Sequence, residues 1–520
     1  MYLVTAEEMR EMDRRTIESF GVPGRVLMEN AGLGATRVMQ SHFSGLASRK
    51  VGVLAGRGNN GGDGFVMARY LAFHGVKVTV FLLSKMKRVT GDAGANLALL
   101  APLGVTVVEI EDSAGLKRKK PAMRRQEIWV DALLGTGLNA DVRGYYREAI
   151  DLINRLQKPV LSVDVPSGLN ADTGQVCGTC IRARVTATFG FAKLGLKVFP
   201  GAEHCGNLEV IDIGIPPFIA EAVNPRQFLL TGRALRAGLG DRAKEAHKGT
   251  TGHVLVLAGS PGKTGAAAMT AMAALRAGAG LVSLGVPESL NPVVEPQVTE
   301  VMTIPLPETD NHRLDASAMA MVREHLDGKS CLAIGPGIGT GAGAGRLLFS
   351  LLKQARVPLV IDADGINLLA DDAQALKKVR VPVIITPHPG EMARLLHTTP
   401  KHIQQDRVGC SRDFARTCGV HVVLKGAATV IAHPDGSVHV NSTGNSGMAS
   451  GGMGDVLTGL IAGFIGQGHP AERAANLGVY LHGRAADHLF EGRGPFGFLA
   501  TEVMDRIPEE INLLMKNGTV

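Results

Sequence analysis

Aromatic side chains make up only 4% of this 520-residue chain, which has a single tryptophan. The one strongly basic stretch, Lys117-Arg118-Lys119-Lys120 with Arg124 and Arg125 behind it, has no aromatic residue interleaved. It lacks the stacking surfaces of a nucleic-acid groove and reads as a solvated segment. No uninterrupted apolar run approaches the roughly 18 residues of a membrane span. Cysteine is sparse and scattered, at Cys177, Cys180, Cys205, Cys331, Cys410 and Cys418, which excludes a disulfide framework in so long a chain. Cys177-Gly-Thr-Cys180 is a lone C-x-x-C without a second pair, and it reads as free thiols rather than a zinc site. The opening residues Met1 to Thr5, followed by Glu7 and Glu8, lack the basic start and apolar stretch of a secretory signal. These absences point to a soluble cytoplasmic protein, expected as a homo-oligomer, whose partners are small molecules rather than nucleic acid or membrane.

Glycine, by contrast, is abundant: 66 residues, well above the usual ~7%. Such an excess suggests tight turns and close backbone approaches to ligands. The formal charge of +7 favours anionic ligands by steering. The length exceeds one ordinary core, so two domains are expected, over 1–225 and 226–520.

Short β-branched runs alternate with amphipathic segments, so the chain reads α/β twice, the pattern of a parallel sheet flanked by helices. The first half offers strands at Val51–Ala55, Val76–Leu83, Ile128–Ala132, Val160–Val163 and Ala183–Phe189. The second offers Val254–Ala258, Leu281–Val286, Cys331–Ile334, Leu359–Asp362, Val383–Ile385 and Val422–Leu424. Nearly every run ends in a polar or glycine-rich turn, and ligands in open α/β sheets bind at that carboxyl edge.

Gly56, Gly58 and Gly61 satisfy G-x-G-x-x-G after a strand, but the next strand ends in Ser84-Lys85 with no acid for a ribose. What remains is a glycine-rich loop at a helix start, suited to phosphate, with Asn59, Asn60 and Asp63 supplying further recognition. Asp131 to Leu138 and Asp164-Val165-Pro166-Ser167-Gly168 end two further strands, so three polar clusters can converge over one crevice. In the second half, Gly262-Lys263-Thr264 looks like a phosphate-binding P-loop, but that pattern needs glycine where Leu257 stands. Gly265 to Ala268 is read as part packing, part substrate wall. Gly451-Gly452-Met453-Gly454-Asp455 is the stronger signal: its amides can meet a transferring phosphoryl group at a helix N-terminus, with Asp455 as base.

The motifs Leu27 to Gly32, Asn59 to Gly64, Asp131 to Gly137 and Asp164 to Gly168 together resemble the NAD(P)H-hydrate epimerase domain. His247 to His253, Gly335-Pro336-Gly337-Ile338-Gly339, Thr386 to Glu391, Lys425 to Thr429 and Gly451 to Asp455 resemble the ADP-dependent NAD(P)H-hydrate dehydratase of the ribokinase superfamily. The pair resembles the bifunctional NAD(P)H-hydrate repair family, which implies a Rossmann-like three-layer α/β/α domain followed by a ribokinase-like one. In the first domain the resemblance implies that Asn59, Asn60, Gly61, Gly62 and Asp63 bind the hydrate together with Gly135, Thr136, Gly137, Leu138, Asn139, Ala140 and Asp141. It further implies that Asp164 is acid/base and that Asn60, Asp131 and Ser167 hold potassium. In the second domain it implies hydrate contacts from Ala267, Gly337, Gly339, His388 and Asp455, and nucleotide contacts from Lys425, Gly426, Ala427, Ala428, Thr429 and Gly454, with ADP and Mg²⁺ as co-substrate and cofactor. A vitamin kinase of the same superfamily is one alternative, and a non-catalytic N-terminal binding module is another.

Overall fold

The computed structural model describes residues 1–517 other than 238 and 241. The chain divides into two compact units, Tyr2–Gln227 and the remainder from Phe228 onward with Met1. Among the described residues, no helix is long and apolar enough to cross a membrane.

In the first unit a parallel sheet runs in the order Thr106–Glu109, Lys77–Leu82, Lys50–Ala55, Ile128–Ala132, Val160–Val163, Val185–Phe189 and Asn207–Ile211. Its central strands are continuous apolar runs because both faces are covered. Alternation within one strand makes this explicit: Val51, Val53 and Ala55 join the core beneath Gly24–His42 and Asn59–Phe73, whereas Leu54 joins the opposite core beneath Ser113–Arg124 and Gly144–Leu156. The result is three layers. Chain order reverses between Lys50–Ala55 and Ile128–Ala132, and this switch point opens a crevice at their carboxyl ends.

The second unit orders Met302–Leu306, Leu281–Pro287, His253–Leu257, Cys331–Ile334, Leu359–Ile361, Val383–Ile385 and His421–Leu424 in parallel. Val430–Ala432 and Val438–Asn441 then extend it antiparallel. The two helices Thr264–Arg276 and Met453–Gly466 pack backbone to backbone: a methyl at Gly459 would lie 2.2 Å from the Thr270 carbonyl oxygen.

Three of the strands absent from the sequence reading lie at sheet edges. Asn207–Ile211 and Thr106–Glu109 are edge strands with no fully buried residue, and Met302–Leu306 carries Pro305 at the opposite edge of its sheet. Edge positions tolerate polar residues and proline because one side of the ladder is unpaired.

Candidate active sites

The first crevice is a cavity of about 760 Å³ lined by Arg57 to Gly61, Leu133 to Leu138, Asp13, Asp63, Asp164 and Lys193. One expectation needs correction. Asn59 to Asp63 are not a loop, because the helix already begins at Asn59 and only Gly56 to Gly58 turn the chain. Close packing explains the glycines: a methyl at Gly61 would lie 2.0 Å from the Gly56 carbonyl oxygen, and one at Gly62 would lie 2.7 Å from the Met28 side chain. Gly62 thus supports the site from beneath, while Asn59, Asn60, Gly61 and Asp63 reach the cavity. The second stretch also divides. Gly135, Thr136, Gly137 and Leu138 line the cavity, whereas Asn139, Ala140 and Asp141 lie exposed on the chain leading away from it.

Asp164 sits at φ +65°, in the left-handed region that asparagine and aspartate tolerate best. Its Oδ1 accepts from Lys193 Nζ at 2.5 Å, Thr188 Oγ1 at 3.1 Å and the Phe189 amide at 3.2 Å. Lys193, 1% exposed, spends its other hydrogens on Thr188 Oγ1 and the Phe189 carbonyl. Two more carboxyls face this pair. Burial pushes Asp13 up to about 6, with Lys193 opposing the shift, and it pushes Asp63 well above the carboxylate range, reinforced by Asp164 and Asp13. Asp13 Oδ1 is buried with no hydrogen-bond partner.

Behind the cavity wall lies Asp131, 1% exposed, whose two oxygens accept from Ser167 Oγ at 2.5 Å, Ser162 Oγ at 2.8 Å and the Ser167 amide at 2.8 Å. Burial raises its pKa even against those bonds. Asn60, against which Gly135 packs, has both polar side-chain atoms buried without a partner. Asn60, Asp131 and Ser167 thus offer amide, carboxylate and hydroxyl oxygens, a donor set that fits a hard cation.

The second site gathers on the carboxyl edge of the other sheet. Gly452, at φ +89°, caps the helix Met453–Gly466, whose third residue is Asp455. Lys425 Nζ lies 3.3 Å from where a Gly454 side chain would start, so glycine there keeps the ammonium against the helix N-terminus. Burial opposes the Lys425 charge, yet Asp362 and Glu391 outweigh it and raise its pKa. Asp362 holds that lysine at 2.7 Å with one oxygen and accepts from Thr458 Oγ1 at 2.8 Å with the other. Asp455 has no such short pair, and burial, aided by Asp362, pushes it up to about 6.

Other predicted residues fall around this centre. His388 caps the helix Pro389–Leu395, its Nδ1 accepting from the Gly390 amide at 2.9 Å while its own amide donates to Glu391 at 2.8 Å; its side chain stays half exposed. Gly337 packs on Lys263, and the Gly339 amide donates to Asp364, which also holds Lys263 Nζ at 2.8 Å. Lys425 to Thr429 form the turn after the strand His421–Leu424, with Gly426 and Ala427 exposed and Ala428 at φ +50°. Ala267 differs from the rest: it is wholly buried, packed beneath Gly259.

Three site residues escaped the sequence reading. Lys193 had a visible signal, being the one charged residue in Phe189-Gly-Phe-Ala-Lys193-Leu-Gly-Leu. Asp13 had none, because Arg10, Glu11 and Arg14 around it make it look like one more surface charge. Arg407, 5% exposed, donates to the carbonyls of Leu424, Lys425 and Ala427 and braces the turn after the strand His421–Leu424 from inside, again without a sequence signal.

A family model described as NAD(P)H-hydrate dehydratase matches residues 254–509, and one described as YjeF-related protein N-terminus matches residues 24–195. A bifunctional NAD(P)H-hydrate repair enzyme of Moorella thermoacetica is 44% identical over 526 residues, 100% of this chain and 99% of the relative. The chain belongs to the bifunctional NAD(P)H-hydrate repair family. A relative of the same description in Salinibacter ruber is 36% identical, covering 97% of this chain and 95% of its own. A crystal structure of ADP/ATP-dependent NAD(P)H-hydrate dehydratase from Bacillus subtilis, co-crystallised with ATP and Mg²⁺, is 31% identical over 55% of this chain and 98% of that one, with a TM-score of 0.48. Membership bears out the reading of two activities in one chain, an isomerase and a lyase, on two α/β domains.

Proposed function

We propose that the first cavity interconverts the C6 epimers of hydrated NADH and NADPH, and that the second site dehydrates one epimer at the expense of ADP. Hydroxide is a poor leaving group, so the hydrate oxygen first attacks the terminal phosphoryl group of ADP. Its proton passes to Asp455, and AMP departs. The ring nitrogen then expels phosphate from C6, loss of the C5 proton restores the double bond, and the products are NAD(P)H, AMP and phosphate. Charge on the moving phosphoryl group is met by Lys425 and by the amides of Gly451 to Gly454 at the helix N-terminus. The observation that carries this reading is Asp455 on the first helical turn, beside Lys425 but without a short ion pair of its own, which leaves it free to accept a proton.

Lys425 to Thr429 hold the nucleotide in this reading, while His388, Gly337 and Gly339 border the hydrate and Ala267 supports it from below. Mg²⁺ would be held by phosphate oxygens and by the Glu391 carboxylate, whose pKa burial raises and a bound cation would lower again; it would supply neutralisation of phosphate charge. In the first cavity Asp164 takes the proton of the C6 hydroxyl, the C6–N1 bond opens to an aldehyde as N1 gains a proton, and reclosure on the other face of the aldehyde returns the second epimer, while Lys193 fixes the orientation of Asp164. Asn59, Asn60, Asp63 and the Gly135–Asp141 stretch receive the dinucleotide. Potassium fits the oxygens of Asn60, Asp131 and Ser167, where it would tie the helix start to the neighbouring strand ends and offset the buried Asp131 charge.

The test is direct: incubate the protein with mixed hydrate epimers, Mg²⁺ and either ADP or ATP, and follow the return of NADH absorbance. Full recovery with ADP and release of AMP support the reading. Recovery that stops at the fraction of one epimer removes the epimerase, and recovery without nucleotide removes the phosphorylation step.

A further inference from the structure

Away from both sites, the antiparallel strands His421–Leu424, Val430–Ala432 and Val438–Asn441 place three histidines on one face. The register that pairs Val422 with Ala432 sets His421 opposite His433, and His439 stands diagonal to His433 on the third strand. His421 Nδ1 lies 2.8 Å from His433 Nδ1, and His433 Nε2 lies 3.2 Å from His439 Nδ1. The helix Ala471–Arg493 packs against these strands. It contributes Glu472, a carboxylate oxygen of which lies within 4.8 Å of ring nitrogens of both His433 and His439. One turn on, at the i+4 position that shares a helix face, is Asn476, 5% exposed, set against His433 with its side-chain oxygen buried and without a hydrogen-bond partner.

We infer that His433, His439 and Glu472 form a site for a divalent transition-metal ion of the zinc class, with His421 orienting His433 from behind. Two nitrogens each about 2.0–2.1 Å from one tetrahedral ion stand roughly 3.3 Å apart, close to the spacing of the His433 and His439 nitrogens. A metal on His433 Nε2 leaves the remaining proton on Nδ1, where it donates to His421 Nδ1; ring orientation through the second nitrogen is the usual support of a ligating histidine. Asp435, the other carboxylate near these rings, is taken by the Ser437 amide at 3.0 Å and the Ser437 hydroxyl at 2.6 Å. Glu472 is exposed, which supplies an entry path, and three protein ligands leave a fourth position for water.

The test uses the full-length protein stripped with chelator and titrated with Co²⁺, whose visible absorption reports four- or five-coordinate binding, with bound metal counted by elemental analysis. One Co²⁺ per chain is expected, displaced by Zn²⁺, with affinity falling at least about tenfold in His439→Gln and in Glu472→Gln. Both side chains are at least partly exposed, so both variants should fold, and neither belongs to the catalytic sites. A folded wild type without the band, or the same band and affinity in both variants, would overturn the site and leave the rings as a hydrogen-bonded chain of neutral imidazoles.

Discussion

Asp164 lies 2.5 Å from an ammonium group, whereas the lysine nearest Asp455 is held at 2.7 Å by a different carboxylate, Asp362. Asp164 stands just past the strand Val160–Val163 and Asp455 on the first turn of the helix Met453–Gly466, and the two folds treat these carboxylates differently. At Asp164 a backbone in the left-handed region and a buried lysine fix the carboxylate in one orientation. At Asp455 the nearby cation is held by Asp362, and burial raises the carboxyl to about 6. A group that must accept a proton once per turnover gains from a pKa near neutrality, while one that must address a single stereocentre gains from fixed geometry.

The contrast breaks most visibly at Asp455→Ala. Dehydration should fall by about 10²–10⁴ with epimerisation intact, as measured by hydrate chromatography beside NADH recovery. A loss under about tenfold would make Asp455 a helix-end charge and no base. Acid should act on the same residue. Because a base works only when deprotonated, kcat/KM for dehydration should fall about tenfold per pH unit below about 6 and level off above it. A flat profile down to pH 5 would contradict the assigned pKa.

Lys193→Met sharpens the other side. It removes a cation that favours the charged forms of Asp13 and Asp63, so deprotonating these two groups becomes harder and the acid limb of epimerisation should move to higher pH. An unshifted profile would show that Lys193 only packs. Smallest of all should be the effect of removing the first unit. A protein starting at Phe228 contains the second unit except Met1 and every residue assigned to dehydration, and its rate on the competent epimer should stay within about twofold of the full chain. Folded but inactive protein would show that the sites are not independent.

Much of this was legible in residue order. Continuous Val/Ile/Leu runs ended by glycine or aspartate mark buried parallel strands and their functional edge, and they located Asp131, Asp164, Lys425 and Asp455 correctly at strand or helix ends. What the sequence hid depends on contacts across the fold. Asn59 to Asp63 read as a loop because glycines usually signal turns; here Gly61, Gly62 and Gly64 let a helix press against Gly56, Met28 and Ala132. Asp13 joins Asp164 from a helix some 150 residues earlier, and the histidine cluster arises from the register of three strands, which no local pattern encodes.

The most direct test of the division of labour is the progress curve of Asp164→Asn on mixed epimers with excess ADP and Mg²⁺. The account predicts a biphasic curve: a fast phase equal to the competent epimer present at the start, then a slow phase set by uncatalysed epimerisation and insensitive to added mutant enzyme. Adding wild-type residues 2–227 should restore a single fast phase, since the hydrates diffuse between sites. A single fast phase in the mutant alone, matching wild type, would contradict the assignment of Asp164 and with it the catalytic role of the first cavity.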